Sequence, residues 1–351
     1  MARRRQSVTI KHVAAHAGVS FQTVSRVINK EPNVSVQLAE RVRAAIDKLG
    51  YVPSIAAQRM AGSRSYLILA LNDRDRTIAD WQERQGTDWI DQMLLGGMLK
   101  ATEHGYRLLV ELVDTHSDHV ERELNTVLAA IKPDGVILTP PHSHNALIVD
   151  LLDNCDVQFA RIGVTEAGPG ITLAMDEADA SRTATDYLIA LGHRRIGFIS
   201  GSSEYRLSGE RVAGWRGAMA AAGYPCEKLL AEGDFSPESG RAASQLLLRS
   251  AQRPTAIIAS NDRMAVATLE AARVMGISVP DDLSIISFDN TPIVRFTHPA
   301  LTAIDQPIAG ITACAVQLII DAEAGRASPP GPTMFKAPLV VRESTGKPRQ
   351  A

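Results

Sequence analysis

The amino-acid sequence predicts a small α-helical head joined to a larger α/β core with two Rossmann-like lobes. Three short helical patterns fill the first 50 residues, and from Ser65 onward short apolar runs alternate with helical patterns in two successive units of similar size. Such alternation is typical of parallel sheets covered by helices. A chain of 351 residues is also too long for one ordinary domain. No run approaches the ~20 apolar residues of a membrane helix, so we expect no membrane partner.

The head is predicted to be two short helices around a tight turn, followed by a third helix. Thr9 can cap a helix over 10–16, Gly18 permits the left-handed backbone of the turn, and Ser20 can cap a second helix over 21–28. The apolar residues of the second helix recur at helical spacing. They leave an outward face made of Phe21, Gln22, Ser25 and Arg26. The third helix, capped by Ser35, has an apolar stripe of Leu38, Val42, Ala45, Ile46 and Leu49.

Two helices around such a turn form a helix-turn-helix, whose second helix enters the DNA major groove. Glutamine can bind adenine and arginine can bind guanine there. Residues 1–62 hold ten Lys or Arg and three Asp or Glu, a net charge of +7, whereas the rest of the chain carries −9. A basic head on an acidic body suits a head that meets phosphate. We therefore predict double-stranded DNA as a partner; a three-helix cap without a DNA role is the alternative.

The head also carries a motif that is shared with a known family. The run VAAHAGVSFQTVSRVIN at 13–29, with Val34-Ser35 and the segment LGYVP at 49–53, resembles the signature of the lactose-repressor (LacI/GalR) family of bacterial transcription regulators. This resemblance implies that Phe21, Gln22 and Arg26 read bases. It also implies that the DNA backbone is contacted by Thr9, Ser20, Thr23, Ser25, Asn29 and Val34.

Residues 53–64 follow the head as a short, alanine-rich segment. At roughly two turns this segment is too short to be a stable helix alone. The resemblance implies that it acts as a hinge helix, which pairs with its twin across a DNA minor groove. Ala57 and Met60 would then contact the DNA, with Met60 as an apolar wedge between base steps. An ordinary flexible linker is the alternative.

The resemblance extends to the core, because the family's core is similar to the periplasmic sugar-binding proteins. It implies two lobes joined by three chain crossings, which we expect near residues 163, 305 and 331. The segment 73–86 departs from the family pattern, since it is longer and more polar and contains Trp81. The predicted domains are the DNA-binding head 1–52, the hinge 53–64, an effector-binding and dimerisation core 65–345, and a tail 346–351. The clearest predicted strands are 66–71, 106–113, 135–138, 158–162, 196–199, 256–259 and 283–287.

A candidate ligand site lies at the predicted strand ends, where parallel α/β sheets bind ligands. Arg211, Asn261 and Asp289 can hydrogen-bond the hydroxyls of a sugar. The resemblance assigns effector contacts to these three residues and a stacking role to Phe235. Asp262 is expected instead to cap the helix that follows it.

The combined expectation is a cytoplasmic, homodimeric repressor that a small carbohydrate releases from its operator. A corepressor-dependent repressor that senses a nucleobase is the alternative, because Phe235 could stack on a purine as well as on a sugar. A dimer is favoured over a tetramer, because only a short polar tail follows residue 345. The basic residues 3–5 are followed by polar Gln6 and Ser7, which argues against a signal peptide and against a secreted binding protein.

The sequence offers little support for an enzyme. It contains no nucleophile elbow, phosphate-binding glycine loop or helical His-Glu motif. The pair His142 and His144 lies on a proline-flanked stretch without a matching third ligand, and we interpret it as a solvated loop. Cys155, Cys226 and Cys314 are far apart, which indicates buried thiols in a reducing compartment. We therefore expect no metal and no cofactor.

Overall fold

The computed structural model describes residues 8–28, 33–51, 64–84, 88–115, 119–155 and 157–349. It divides the chain into two compact units, Met1–Tyr66 and Leu67–Ala351. None of the helices in the described ranges is both long and apolar enough to cross a membrane. The hinge residues 53–63 lie outside the described ranges, so the domain boundaries around them stay predictions.

The head consists of three helices, α1 (Ile10–Ala17), α2 (Phe21–Ile28) and α3 (Val36–Leu49). The predicted helix-turn-helix is confirmed: Gly18 ends α1 with φ +62, and the hydroxyl of Ser20 accepts a hydrogen bond from the Thr23 amide at 3.1 Å. Ser35 lies at the N-cap position of α3, but its side chain makes no capping hydrogen bond. The helices enclose a small core of Val13, Ala14, Ala17, Val24, Val27, Ala39, Val42, Ala45 and Tyr51.

The second unit contains two six-stranded sheets. Its strands are β1 (Leu67–Asp73), β2 (Arg107–Val113), β3 (Gly135–Leu138), β4 (Gln158–Ile162), β5 (Ile171–Met175), β6 (Ile196–Ile199), β7 (Leu230–Ala231), β8 (Ala256–Ala259), β9 (Ser284–Asp289), β10 (Thr302–Asp305), β11 (Thr333–Phe335) and β12 (Leu339–Val340). Its helices are α4 (Arg74–Glu83), α5 (Asp88–Glu103), α6 (Val120–Ile131), α7 (Ala146–Asp153), α8 (Glu177–Ala190), α9 (Arg206–Ala221), α10 (Pro237–Leu248), α11 (Asp262–Val274) and α12 (Ile308–Glu323).

The first sheet has the strand order β11-β5-β4-β3-β1-β2, and all its pairs are parallel. The second has the order β12-β10-β9-β8-β6-β7, in which only the β10–β12 pair is antiparallel. We call the unit around the first sheet the first lobe and the unit around the second sheet the second lobe. Strands such as β3 and β8 are buried along their whole length, as parallel strands covered by helices must be. The predicted two-lobed α/β core is confirmed.

The chain crosses between the lobes three times, but two crossings differ from the prediction. The first lies at residue 176 and not near 163, because residues 171–175 form a further parallel strand of the first sheet before the chain leaves it. The second, at 306–307, agrees with the prediction. The third lies at 336–338 and not near 331, because the short strand β11 first pairs with β5. The described part of the tail contacts the core, since Arg349 donates to Asp282 at 2.7 Å.

Candidate functional site

The head exposes one face of α2. Phe21 is 56% exposed, and Gln22 and Arg26 are exposed beside it, while Val24 and Val27 face the core of the head. The residues expected to contact the DNA backbone are exposed or half-buried, and they are Thr9, Ser20, Thr23, Ser25 and Val34. Asn29, Ala57 and Met60 lie outside the described residues. The exposed face therefore offers one apolar ring, one amide and one guanidinium.

A cavity of about 380 Å³ lies between the two lobes of the core. All four residues predicted to bind the effector line it, namely Arg211, Phe235, Asn261 and Asp289. The first lobe contributes side chains from β1, α4 and α5, and the second contributes the ends of β8 and β9 and the starts of α9 and α11. The fold thus brings together four predicted residues that are up to 78 positions apart in the sequence, from Arg211 to Asp289.

Arg211 on α9 is held by buried partners. Its Nε donates to Glu177 Oε2 at 2.7 Å, and its Nη1 donates to the Ser260 carbonyl at 2.5 Å. The guanidinium also lies 4.2 Å from the ring centre of Phe288. Glu177 was not predicted, although it begins α8 two residues after the end of β5. Because the pair is fixed in place, Arg211 offers its remaining donors to the cavity in one orientation.

Asn261, and not Asp262, caps α11. Its Oδ1 accepts from the Met264 amide at 2.9 Å, while its Nδ2 donates to the Phe235 carbonyl at 2.9 Å. The expectation for Asp262 was wrong because Asp262 is already the first residue of the helix, while Asn261 before it has the extended backbone of a cap. Asp262 instead accepts from the Thr291 amide at 2.6 Å. Asn261 therefore fixes the backbone of Phe235, which has φ +72.

Two carboxyl groups, those of Asp262 and Asp289, lie close together in the cavity. Burial raises the pKa of Asp262 to about 7, and the neighbouring Asp289 adds to the rise. Burial also raises the pKa of Asp289, although Arg211 opposes this. Asp289 ends β9 with φ +97, and Gln306, which was not predicted, donates to it from the second crossing. A polar residue directly after the strand end of β10 is the sequence signal that could have identified Gln306.

Phe235 is only 8% exposed and is surrounded by other cavity residues. The ring of Tyr205 packs edge-on at 5.5 Å, and the guanidinium of Arg76 lies 5.1 Å from the centre of the Phe235 ring. Burial raises the pKa of Tyr205 to about 12, so its hydroxyl stays protonated at neutral pH. The ring expected to stack on a ligand is therefore largely covered, and Arg76 and Tyr205 border the space beside it.

Residues 73–84, the described part of the polar segment that departs from the family pattern, form a wall of the cavity. Asp73 caps α4 by accepting from the Arg76 amide at 2.8 Å. Asp80 on α4 forms a two-pronged ion pair with Arg263 on α11, with N to O distances of 2.7 and 3.3 Å. This ion pair joins the two lobes directly. Trp81 is 52% exposed and is absent from the cavity lining.

The histidines on the proline-flanked stretch are not solvated, contrary to expectation. His142 is completely buried, and its Nε2 lies 2.9 Å from the Thr115 hydroxyl and 3.1 Å from the Val113 carbonyl. Burial lowers the pKa of His142, so the ring is neutral at pH 7. No group of three or more metal-binding side chains is found within the described ranges. The three cysteines are free and only partly buried.

Comparison with known proteins agrees with this architecture. Residues 9–54 match the model for bacterial regulatory proteins of the lacI family, and residues 185–345 match the periplasmic binding protein-like domain. The HTH-type transcriptional regulator CelR of Thermobifida fusca is 32% identical over 346 residues, which are 97% of this chain and 99% of CelR.

Two solved structures are also similar. A CelR–cellobiose complex has a TM-score of 0.71 at 30% identity and covers 96% of this chain and 99% of its own. A lac repressor dimer bound to operator and the anti-inducer ONPF has a TM-score of 0.77 at 26% identity, covering 97% of this chain and 100% of its own. With its helix-turn-helix head, its two-lobed core and this similarity along nearly its whole length, the chain belongs to the lacI family of bacterial regulatory proteins.

Proposed function

We propose that this regulator is a repressor that a small carbohydrate releases from its operator, and that the carbohydrate binds in the cavity between the lobes. The observation that carries this proposal is the convergence of Arg211, Asn261 and Asp289 on that cavity from three different elements of the second lobe. The similarity to a regulator solved with cellobiose supports a sugar as the ligand. The proposed location of the protein is the cytoplasm, because a repressor acts where its operator DNA is found.

Release follows from a difference in ligand affinity between two arrangements of the lobes. The cavity is lined by both lobes, so closing or opening the cleft changes how many side chains reach the ligand. The hinge, residues 53–64, precedes β1 of the first lobe directly in the sequence. A change in lobe angle would therefore alter the pairing of two hinges and withdraw Ala57 and Met60 from the minor groove.

A homodimer is the proposed active form. The helix α5 exposes the apolar side chains Leu95, Met98 and Leu99, each at least half exposed. Contiguous exposed apolar residues of this kind mark association surfaces. The similarity to a lac repressor dimer supports two-fold pairing. Sedimentation equilibrium should therefore give twice the chain mass, and a stable tetramer would contradict the proposal.

The outward face of α2 is the proposed base-reading surface. Replacing Arg26 with alanine should cost about 1–3 kcal/mol in operator affinity and relax the preference at one base position, because a bidentate guanidinium contact to guanine is lost. Fluorescence anisotropy with duplexes that are selected from a random library and then varied base by base measures both effects.

Arg43→Ala is the matched control, because Arg43 is an exposed arginine on α3 and its loss changes the charge of the head equally. This control should weaken binding to all duplexes alike, as loss of a phosphate contact would. If Arg26→Ala also weakens all duplexes alike, Arg26 does not read a base.

Asp289→Asn tests the effector site. The variant should bind operator normally but respond poorly to sugar, because a hydrogen bond from a ligand hydroxyl to a carboxylate contributes about 1.5–3 kcal/mol. Asparagine also tolerates the positive φ at this position and can still accept from Gln306. Operator release is measured with mono- and disaccharides that include cellobiose.

Asp281→Asn is the control, since Asp281 is exposed and lies outside the cavity lining. If sugar releases Asp289→Asn from operator as it releases the wild type, the effector does not bind at Asp289. A ligand that tightens operator binding would instead favour the corepressor alternative.

A further inference from the structure

Helix α4 and the residue that caps its C-terminus bring two arginines to the wall of the cavity, Arg76 and Arg84. The guanidinium of Arg76 is held over two rings, 5.1 Å from the centre of Phe235 and 5.5 Å from that of Tyr205. Its Nη1 donates to the neutral carbonyl of Asp234 at 3.2 Å. The aromatic rings thus fix a cation beside the ligand space.

Neither arginine has a carboxylate within ion-pair distance in the part of the chain that the structure describes. Four of the described acids lie near these arginines. Burial and the neighbouring Asp91 raise the pKa of Asp88, which lines the cavity. In spite of its burial, the pKa of Asp234 is lowered by hydrogen bonds from Ser236 and Ser239, with a smaller contribution from the charge of Arg76. Asp73 accepts hydrogen bonds as the cap of α4, and Asp80 pairs with Arg263.

Arginine has five N–H donors in a planar fork that matches a carboxylate. Arg76 is half-buried, donates to a neutral carbonyl and forms no ion pair with a described residue, which favours an anionic ligand.

The other side of the cavity limits the charge of such a ligand. Asp262 and Asp289 lie there, and the cations nearest to them are engaged elsewhere, Arg211 with Glu177 and Arg263 with Asp80. A phosphate ester carries nearly two negative charges at neutral pH, whereas a carboxylate carries one. A singly charged ligand suits a cavity that is lined by Arg76 and Arg84 but also by acidic groups of both lobes, namely Asp73, Asp80, Asp88, Asp262 and Asp289.

We propose that the effector is a sugar acid, an aldonate or uronate, whose carboxylate binds Arg76 and whose hydroxyl groups meet Asp289 and Arg211. This inference rests on the proposed function, because it uses the same cavity and the same release of operator. Arg84 lies on the same wall and adds a second positive charge. Arg76 is thus a specificity-determining residue for the class of ligand.

Calorimetric titration of the full chain with matched ligand pairs tests this proposal. The pairs differ in one carboxylate: glucuronate and glucose, galacturonate and galactose, gluconate and glucitol. We expect the acid of at least one pair to bind at least about tenfold more tightly than its neutral partner. One charge-assisted hydrogen bond contributes enough binding free energy for this difference. Arg76→Gln should remove that preference. Arg241→Gln should retain it, since Arg241 is an exposed arginine on α10 outside the cavity. Thermal unfolding followed by circular dichroism verifies that both variants are folded.

Three results would overturn the proposal: no acid binds more tightly than its neutral partner, the preference survives in Arg76→Gln, or glucose 6-phosphate binds more tightly than every carboxylate. Operator release is measured in parallel with each ligand. A neutral sugar that releases operator would overturn the sugar-acid proposal alone and leave the proposed function intact. Ligands that bind without changing operator affinity would contradict the proposed function instead.

Discussion

Replacing Arg211 with methionine should lower the free energy of unfolding of the core by about 3–5 kcal/mol, because the change leaves Glu177 buried without its cation. Arg211 is 1% exposed and Glu177 is 7% exposed, so water cannot replace the lost partner. Methionine roughly preserves the apolar volume of the side chain, and the effect therefore reports on the charge more than on a cavity. Urea unfolding followed by circular dichroism measures the change.

The double variant Arg211→Met with Glu177→Gln is the decisive comparison. It removes both charges, and replacement of a whole buried ion pair is often nearly neutral. We expect it to recover most of the lost stability. If the double variant is as unstable as Arg211→Met, the loss of stability comes from the packing around Arg211 and Phe288 and not from the uncompensated carboxylate of Glu177.

Replacing Gly96 with alanine should also destabilise the core strongly. A Cβ at this position on α5 would overlap the backbone carbonyl of Ala309 on α12. Backbone atoms cannot rotate away, so the two helices must move apart and lose packing along their contact. Overpacking of this kind costs about 1–3 kcal/mol and sometimes more. The midpoint of urea unfolding should fall accordingly.

Gly217→Ala is the matched control for this prediction. Gly217 also lies within a helix, α9, but its added Cβ would meet no atom within 4 Å. The control should be neutral or stabilising by up to about 1 kcal/mol, because alanine has the higher helix propensity. Equal stability of Gly96→Ala and the wild type would mean that α5 and α12 can separate without loss of packing.

The parts of the fold that depend on local pattern could be predicted from the sequence. The helices of the head follow from apolar residues at helical spacing between caps such as Ser20 and Gly18. Most central strands follow from uniformly apolar runs such as 135–138. The short strands β7, β11 and β12 were missed because two or three residues carry no usable periodicity. The longer strands β5 and β10 were also missed, although β5 is fully buried and β10 nearly so, and the error at β5 displaced the first crossing.

The candidate site could be predicted only where single residues resemble a family pattern. Arg211, Asn261 and Asp289 were found in this way. Their partners Glu177 and Gln306 were not, because a hydrogen bond between residues 34 or 17 positions apart depends on how the strands are ordered. The role of Arg76 could not be predicted either, because Asp234, whose carbonyl accepts its hydrogen bond, is 158 positions away. Nothing in a single sequence reports which helix faces which ring.

The three crossings have a consequence for how a newly made chain acquires its structure. The first lobe needs α12 to cover its sheet and β11 at the sheet edge, and the second needs β10 and β12, so neither lobe can be completed before about residue 335 has been synthesised. The head needs only the first 51 residues. At about 5–20 residues per second, roughly 15–60 s separate the two events on the ribosome. A nascent chain therefore carries a folded head well before it has a cavity that could respond to a metabolite.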